Sequence, residues 1–268
     1  MKNLKKLPLI LSILSLASFI TPVNADVKVV ASIKPLHSLA SYLMDGVGKP
    51  DLIVEGYGSP HGFSMKPSHA KILQNADLIF WVGEDLEIFL EKPLSSIAKK
   101  AEKIELMEIK GLNVLKFRER NIFDKHDHDD HDDHGKKEDD HDDHEHDDHD
   151  KKEEHANHDD HDGHEDHAHG EYDPHIWLDP MNAKVILNKM VEHLIENDAK
   201  NASKYKSNLK NAFKDIDKLT ADVKADLSKS TASIVFHDAY QYFEERFDIN
   251  ILGAFTVNTD VMPGAEQL

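Results

Sequence analysis

Fourteen of the chain's twenty histidines fall between residues 126 and 169, interleaved with acids. The stretch opens His126-Asp-His128-Asp-Asp-His131-Asp-Asp-His134, and the HDDH unit returns at His141–His144. It holds 21 Asp or Glu against four Lys, a net of −17 out of a chain total of −19. The acidity therefore belongs to this one tract. Neutral imidazole is the commonest protein ligand for zinc, and carboxylates can supplement it, so the composition points to transition-metal traffic with zinc as first candidate. With almost no apolar residues to bury, the tract is expected to be disordered. The pattern H-x-H-x-D-H occurs at His126–His131 and at His144–His149, but in a segment built from His and Asp such matches arise by composition, and neither follows a strand that would fix ligand geometry.

Three further histidines lie where ligand sites are built in α/β proteins. His61 is in the Gly/Pro-bounded loop Glu55–Gly62, His175 is within Asp-Pro-His-Ile-Trp-Leu-Asp-Pro180, and His237 ends the run Ser-Ile-Val-Phe. Open α/β sheets gather ligands at the C-terminal ends of their strands. Each histidine alone reads as an ordinary loop or buried residue; jointly, beside the tract, they read as a metal site.

The elements that would position them follow from pattern. Strands are expected at Val27–Ile33, Asp51–Val54, Leu78–Val82 and Lys103–Ile109, with helices between them at about 37–44, at Pro67–Asn75, where proline suits the first turn, and at Leu86–Ile97. Such alternation means βαβ units, a mostly parallel sheet, and one α/β lobe over residues 26–180, interrupted by the tract at about 124–171. Residues 181–230 read as helical. Ala183, Ile186, Leu187, Met190, Val191, Leu194 and Ile195 mark one amphipathic helix, and Tyr205, Leu209, Phe213, Ile216, Leu219, Val223 and Leu227 a second. Continuous from Asn201 to Lys229, the second would run roughly 43 Å, the length of a strut between lobes. Residues 231–268 begin another α/β lobe, with strands at Ser233–Phe236 and Ile249–Phe255 around a helix at Tyr240–Phe247, and are too few to bury a core of their own; most of that lobe is expected to be missing from this sequence.

Residues 1–25 carry Lys2, Lys5 and Lys6, an apolar run from Leu7 to Ile20 and the small-residue site Val23-Asn24-Ala25, the pattern of a secretory signal peptide. There is no cysteine. Export to a bacterial periplasm as a soluble protein is the expectation. Nucleic acid is a poor partner for so acidic a chain. Catalytic signatures are thin: His164-Glu-Asp-His167 has the wrong spacing for a zinc-protease helix, and neither a G-x-S-x-G elbow nor a phosphate-binding Gly-Lys-Ser/Thr loop is present.

The segments G-S-P-His61-G-F-S-M-K-P-S, L-Q-N-A-D-L-I-F-W-V-G, P-His175-I-W-L-D-P, V-F-His237-D-A-Y-Q-Y-F and G-A-F-T-V-N, in that order, resemble the periplasmic zinc-binding receptors of bacterial ABC zinc-uptake transporters. The resemblance implies two α/β lobes with mainly parallel sheets, joined by a long rigid helix, with one metal ion in the cleft between them. It matches His61, His175 and His237 to the family's ligand histidines. It implies a receptor, not an enzyme, acting as a monomer that carries Zn2+ as transported solute to an inner-membrane permease and, through it, a cytoplasmic ATPase. Manganese-binding relatives carry a carboxylate at the position of His237, so histidine there favours zinc. The chain departs from some zinc receptors in having Pro60, which has no donor, before the first histidine; the fourth ligand is left as water or a residue beyond Leu268. The tract would then serve as a low-affinity collector or a reporter of zinc sufficiency. An exported zinc buffer or adhesin is the alternative, with an exported zinc enzyme behind it.

Overall fold

Burial of β-branched and aromatic runs drives the first lobe. The computed structural model describes residues 26–118, 170–227 and 232–256; the signal-peptide pattern, the His-rich tract and the segment after Thr256 lie outside them. Strands β1 (Val29–Ala31), β2 (Asp51–Leu52), β3 (Leu78–Trp81) and β4 (Glu102–Glu105) form one sheet in the order β2-β1-β3-β4, parallel throughout. The strands are shorter than their apolar runs because pairing stops where the chain turns into loops; the expected strand to Ile109 ends at Glu105.

Side chains alternate across this sheet, so its two faces have separate cores. Val29, Ala31, Leu78 and Phe80 face one side, packed with α1 (Lys34–Leu43) and α4 (Pro180–Asn197). Val30, Ile79 and Trp81 face the other, against α2 (Pro67–Asn75) and α3 (Glu84–Ser96). All four residues of β3 are buried, as a central strand of a two-faced sheet requires.

Helix α5 (Ala202–Leu227) is the expected long helix, 26 residues, or about 39 Å. Its first half is anchored: Tyr205 and Ala212 are buried, and Asn208 Nδ2 donates to the carbonyls of Leu43 and Asp45 at 2.7 and 2.9 Å, capping the end of α1. The apolar stripe is not buried along its whole length. Leu219 is 58% exposed, since beyond Ile216 the helix leaves the first lobe. The second unit is a parallel pair, β5 (Ser233–His237) with β6 (Ile251–Thr256), joined by α6 (Gln241–Phe247).

The loop from β3 into α3 holds a buried acid. Gly83 has φ +152°, a backbone conformation that favours glycine, and a Cβ there would also push on Glu105 Oε1 at 2.8 Å. Glu87, fully buried, turns its carboxylate back to accept the N–H of Val82 at 2.7 Å and of Gly83 at 3.2 Å, and α3 breaks its helical geometry at that residue. Burial lifts the Glu87 carboxyl to about 7, with nearby Glu105 adding repulsion and the backbone donors opposing the rise. An acid whose folded pKa is raised contributes stability that is complete below its unfolded value and is lost as pH climbs through the folded one. Replacing Glu87 by Gln should therefore flatten the stability profile between pH 5 and 8. The variant should gain on the native protein by up to about 3 kcal/mol at the alkaline end, read from denaturant unfolding at each pH; equal pH dependence of the two proteins would count against a titrating Glu87.

Candidate metal centre

The three histidines singled out from sequence arrive from separate elements. His61 sits in the loop after β2, where its N–H donates to Ser59 Oγ at 3.3 Å. His175 precedes a single 3-10 turn, Ile176–Leu178, that leads into α4. His237 is the last residue of β5, opposite Thr256 of β6. Their ring centroids are 5.1 to 5.6 Å apart, and one nitrogen from each lies within 4.8 Å of the other two. His237 Nε2 stands 3.3 Å from His175 Nε2.

His175 is the most firmly held. Asp173, 1% exposed, receives through one carboxylate oxygen both the backbone N–H of His175 at 2.9 Å and its Nδ1 at 2.6 Å. A proton on Nδ1 bonded to a carboxylate leaves the Nε2 lone pair free and aimed at the other two rings; this is the partner that metal-ligating histidines characteristically have. The strap that carries His175 is in turn tied to α6. Tyr242 Oη donates to the carbonyl of Asp173 at 2.6 Å and accepts the N–H of Leu115 at 3.0 Å. Arg246 grips both oxygens of Asp179 at 2.7 Å, and Asp179 also caps α4 by accepting from Met181 at 2.8 Å. Sequence reading did not assign roles to Asp173, Tyr242 or Arg246. The first is two residues from a singled-out histidine; the others act across 67 to 69 residues, which no local pattern reveals.

Acidic groups surround the cluster. Asp238, next to His237 and 4% exposed, has its carboxyl pushed up to about 6, chiefly by burial, while Arg118 works to lower it. Arg118 Nη1 lies 3.6 Å from Asp238, and the same guanidinium pairs with Glu244 of α6. Two other histidines serve structure: His37 contacts the carbonyl of Pro50 at 3.0 Å, and His69 accepts the N–H of Lys66 at 3.1 Å at the start of α2.

The family of periplasmic zinc-uptake complex component A (ZnuA) matches residues 29–268. This chain belongs to that family. The high-affinity zinc uptake system protein ZnuA of Brucella abortus (strain 2308) is 49% identical over 242 residues, covering 90% of this chain and 70% of that protein. The protein of the same description from Yersinia pestis is 33% identical over 246 residues, covering 91% and 70%. Among solved structures, a ZnuA crystal structure superposes with a TM-score of 0.65 at 17% identity over 91% of this chain and 75% of the other. The Streptococcus pneumoniae AdcAII protein gives 0.61 at 18% identity over 91% and 74%. At such identities these likenesses establish the fold, an α/β architecture with parallel sheets and a long helix.

The hold of Asp173 on His175 generates a direct expectation for a member of this zinc-uptake family. Asp173→Ala removes the acceptor that orients the ring but leaves the backbone carbonyl that Tyr242 uses. Zinc affinity of the tightest site should fall by roughly 10- to 100-fold, the range for losing a carboxylate that backs a ligating histidine. Competition with a chelator of known affinity measures it, and an unchanged affinity would show that the carboxylate is idle.

Proposed function

We propose that His61, His175 and His237 together bind one zinc ion, and that the protein is a periplasmic receptor that delivers this ion to the permease of an ABC importer. The observation that carries the reading is the 3.3 Å separation of the His175 and His237 Nε2 atoms. Donors held 2.0–2.1 Å from zinc in a tetrahedral array are themselves about 3.3 Å apart, so these two imidazoles already have the spacing of neighbouring ligands. The third, His61, has a nitrogen within 4.8 Å of both, on a loop that needs only a small adjustment to close. Every protein donor in this set comes from one chain, which fits a receptor acting as a monomer.

The chemistry is coordination and release. Neutral imidazole is a good ligand for zinc, and the ion competes with protons for the same lone pairs, so capture weakens on acidification. Membership of a periplasmic family, with a signal-peptide pattern ending at Ala25, supports export with cleavage before Asp26. The His-rich tract fits a collecting role beside the tight site: many donors on a chain that must be ordered around each ion give high capacity and weak binding. A related solved structure is described as a ZnuA deletion mutant lacking 138–173 with zinc bound, and its fold superposes on this one with a TM-score of 0.64.

Replacing any one of the three histidines by Ala should weaken the tightest site by orders of magnitude in chelator competition, because a third of the protein donors is lost. Near-native affinity in His175→Ala would overturn the ligand assignment. His237→Glu tests metal choice separately. Zinc outranks manganese on nearly any site, but a carboxylate suits manganese better than an imidazole does. Competition dialysis against equal zinc and manganese should show a smaller zinc preference in this variant than in the native protein; an unchanged ratio would mean that the residue at 237 does not set selectivity.

A further inference from the structure

A second group of metal-type donors lies at the far end of α4. His193 and Glu196, three residues apart on one face of its last turn, meet Glu102 at the start of β4. His193 Nδ1 is 2.7 Å from Glu102 Oε1 and 3.4 Å from Glu196 Oε2, and the three donors all lie within 4.8 Å of one another. The imidazole is enclosed, with the residue only 9% exposed. Yet both its ring nitrogens are buried without a hydrogen bond of ordinary geometry, so the close Glu102 oxygen stands off the N–H direction. Glu102 is held in place from behind, because Asn197 Nδ2 donates to its other oxygen at 2.8 Å while also donating to the carbonyl of His193 at 2.9 Å.

Lys103 and Lys189 line the cavity beside His193, with Lys189 paired to Glu192, but neither answers the two carboxylates at His193 in an ion pair. The C-terminal end of a helix carries a partial negative charge, and α4 has no basic residue in its last turn. Two carboxylates add to that field and converge on a single ring nitrogen, which can donate at most one proton. A divalent cation satisfies all three donors at once. We propose that Glu102, His193 and Glu196 form a second and weaker site for a divalent transition-metal ion of the zinc class, with water completing its coordination. One imidazole and two carboxylates are borderline ligands that accept such ions. The site is weaker for two reasons. The Glu196 side chain is 67% exposed and must be ordered on binding, and a metal on Nδ1 leaves the proton on the buried Nε2 without a partner. It is also separate from the histidine triad: His175 precedes α4 and His193 lies near its end, so the stretch of α4 from Pro180 to His193, about 20 Å of rise, intervenes.

Titration of the full-length protein with zinc, following histidine ring nitrogens by NMR, tests this, with His193→Gln assigning the His193 signals. Those signals should shift at a higher zinc concentration than the triad's. In the Glu102→Gln/Glu196→Gln double variant the midpoint of that shift should rise at least about ten-fold, the least expected when even an outer partner of a ligand is lost, while the triad signals respond as before. Because glutamine keeps the size and one oxygen of each glutamate, the helix should persist. Should the variant not fold, zinc-edge anomalous diffraction from the native protein decides by density between the three side chains. His193 signals that stay fixed while the tract saturates, a midpoint unmoved in the variant, or no anomalous density would each overturn the proposal.

Discussion

Three imidazoles share one ion only if their lone pairs meet at a point, and the zinc site proposed at His61, His175 and His237 rests on that requirement. Gathered without an ion, neutral rings gain little from one another and lose hydration, so each must be held by something else. A strand register holds His237 opposite Thr256, a hydroxyl in the preceding loop holds the backbone of His61, and a buried carboxylate holds His175. The Asp173–His175 contact is the most consequential of these, because a single oxygen fixes both the backbone and the ring. It also chooses the tautomer, and with it which nitrogen can face an ion.

Charge placement bears on the same proposal. Neutral imidazoles would bring no negative charge to balance a divalent ion, so compensation would come from the groups around them. Asp173 and Asp238 are nearly fully buried there, a costly position for carboxylates that have no cation to answer. Arg118 supplies part of the answer, and its pairing with Glu244 ties residue 118, at the edge of the tract, to α6. Helix α6 thus works on the first lobe at three points, through Tyr242, Glu244 and Arg246. It is the element through which β5, with His237 at its end, is registered against the strap carrying His175.

Much of this was legible from residue order and some was not. The apolar runs at Val29–Ala31 and Leu78–Trp81 point to buried strands, Pro67 marks the start of α2 at the residue observed, and the loop and strand-end positions of the histidines together with the family motifs single out three that meet in space. Periodicity announced α5 but not its burial. A repeat of three and four shows which residues share a face, not where the supporting lobe ends, and Leu219 is exposed for that reason. The break in α3 was hidden because it arises from a glutamate hydrogen-bonding back to its own loop. His193 passed as one more helical position, since its partner Glu102 lies on a strand far away in sequence.

The stem of the tract explains how so acidic a segment fits into an ordered lobe. Lys116 and Tyr172 form an antiparallel bridge, with Phe117 donating to the carbonyl of Glu171 at 3.2 Å and Asp173 to that of Leu115 at 2.8 Å. The chain therefore leaves and re-enters the lobe at one place. Once such a stem is closed, the length of what it carries matters little to the fold, because each doubling of a loop costs only about 0.6 kcal/mol. The charge is confined likewise, with −17 of the chain's −19 carried between residues 126 and 169. Position gives this economy a consequence for the proposed collecting role. The arm of the stem that follows the tract runs from Glu171 through Asp173 directly to His175, so under that proposal an ion taken up by the tract would be tethered to the segment that carries His175. A tether converts a search through bulk solution into a local one at raised effective concentration. Weak, exchangeable binding on the tract is then an advantage, since an ion held tightly there would not be released to the three histidines.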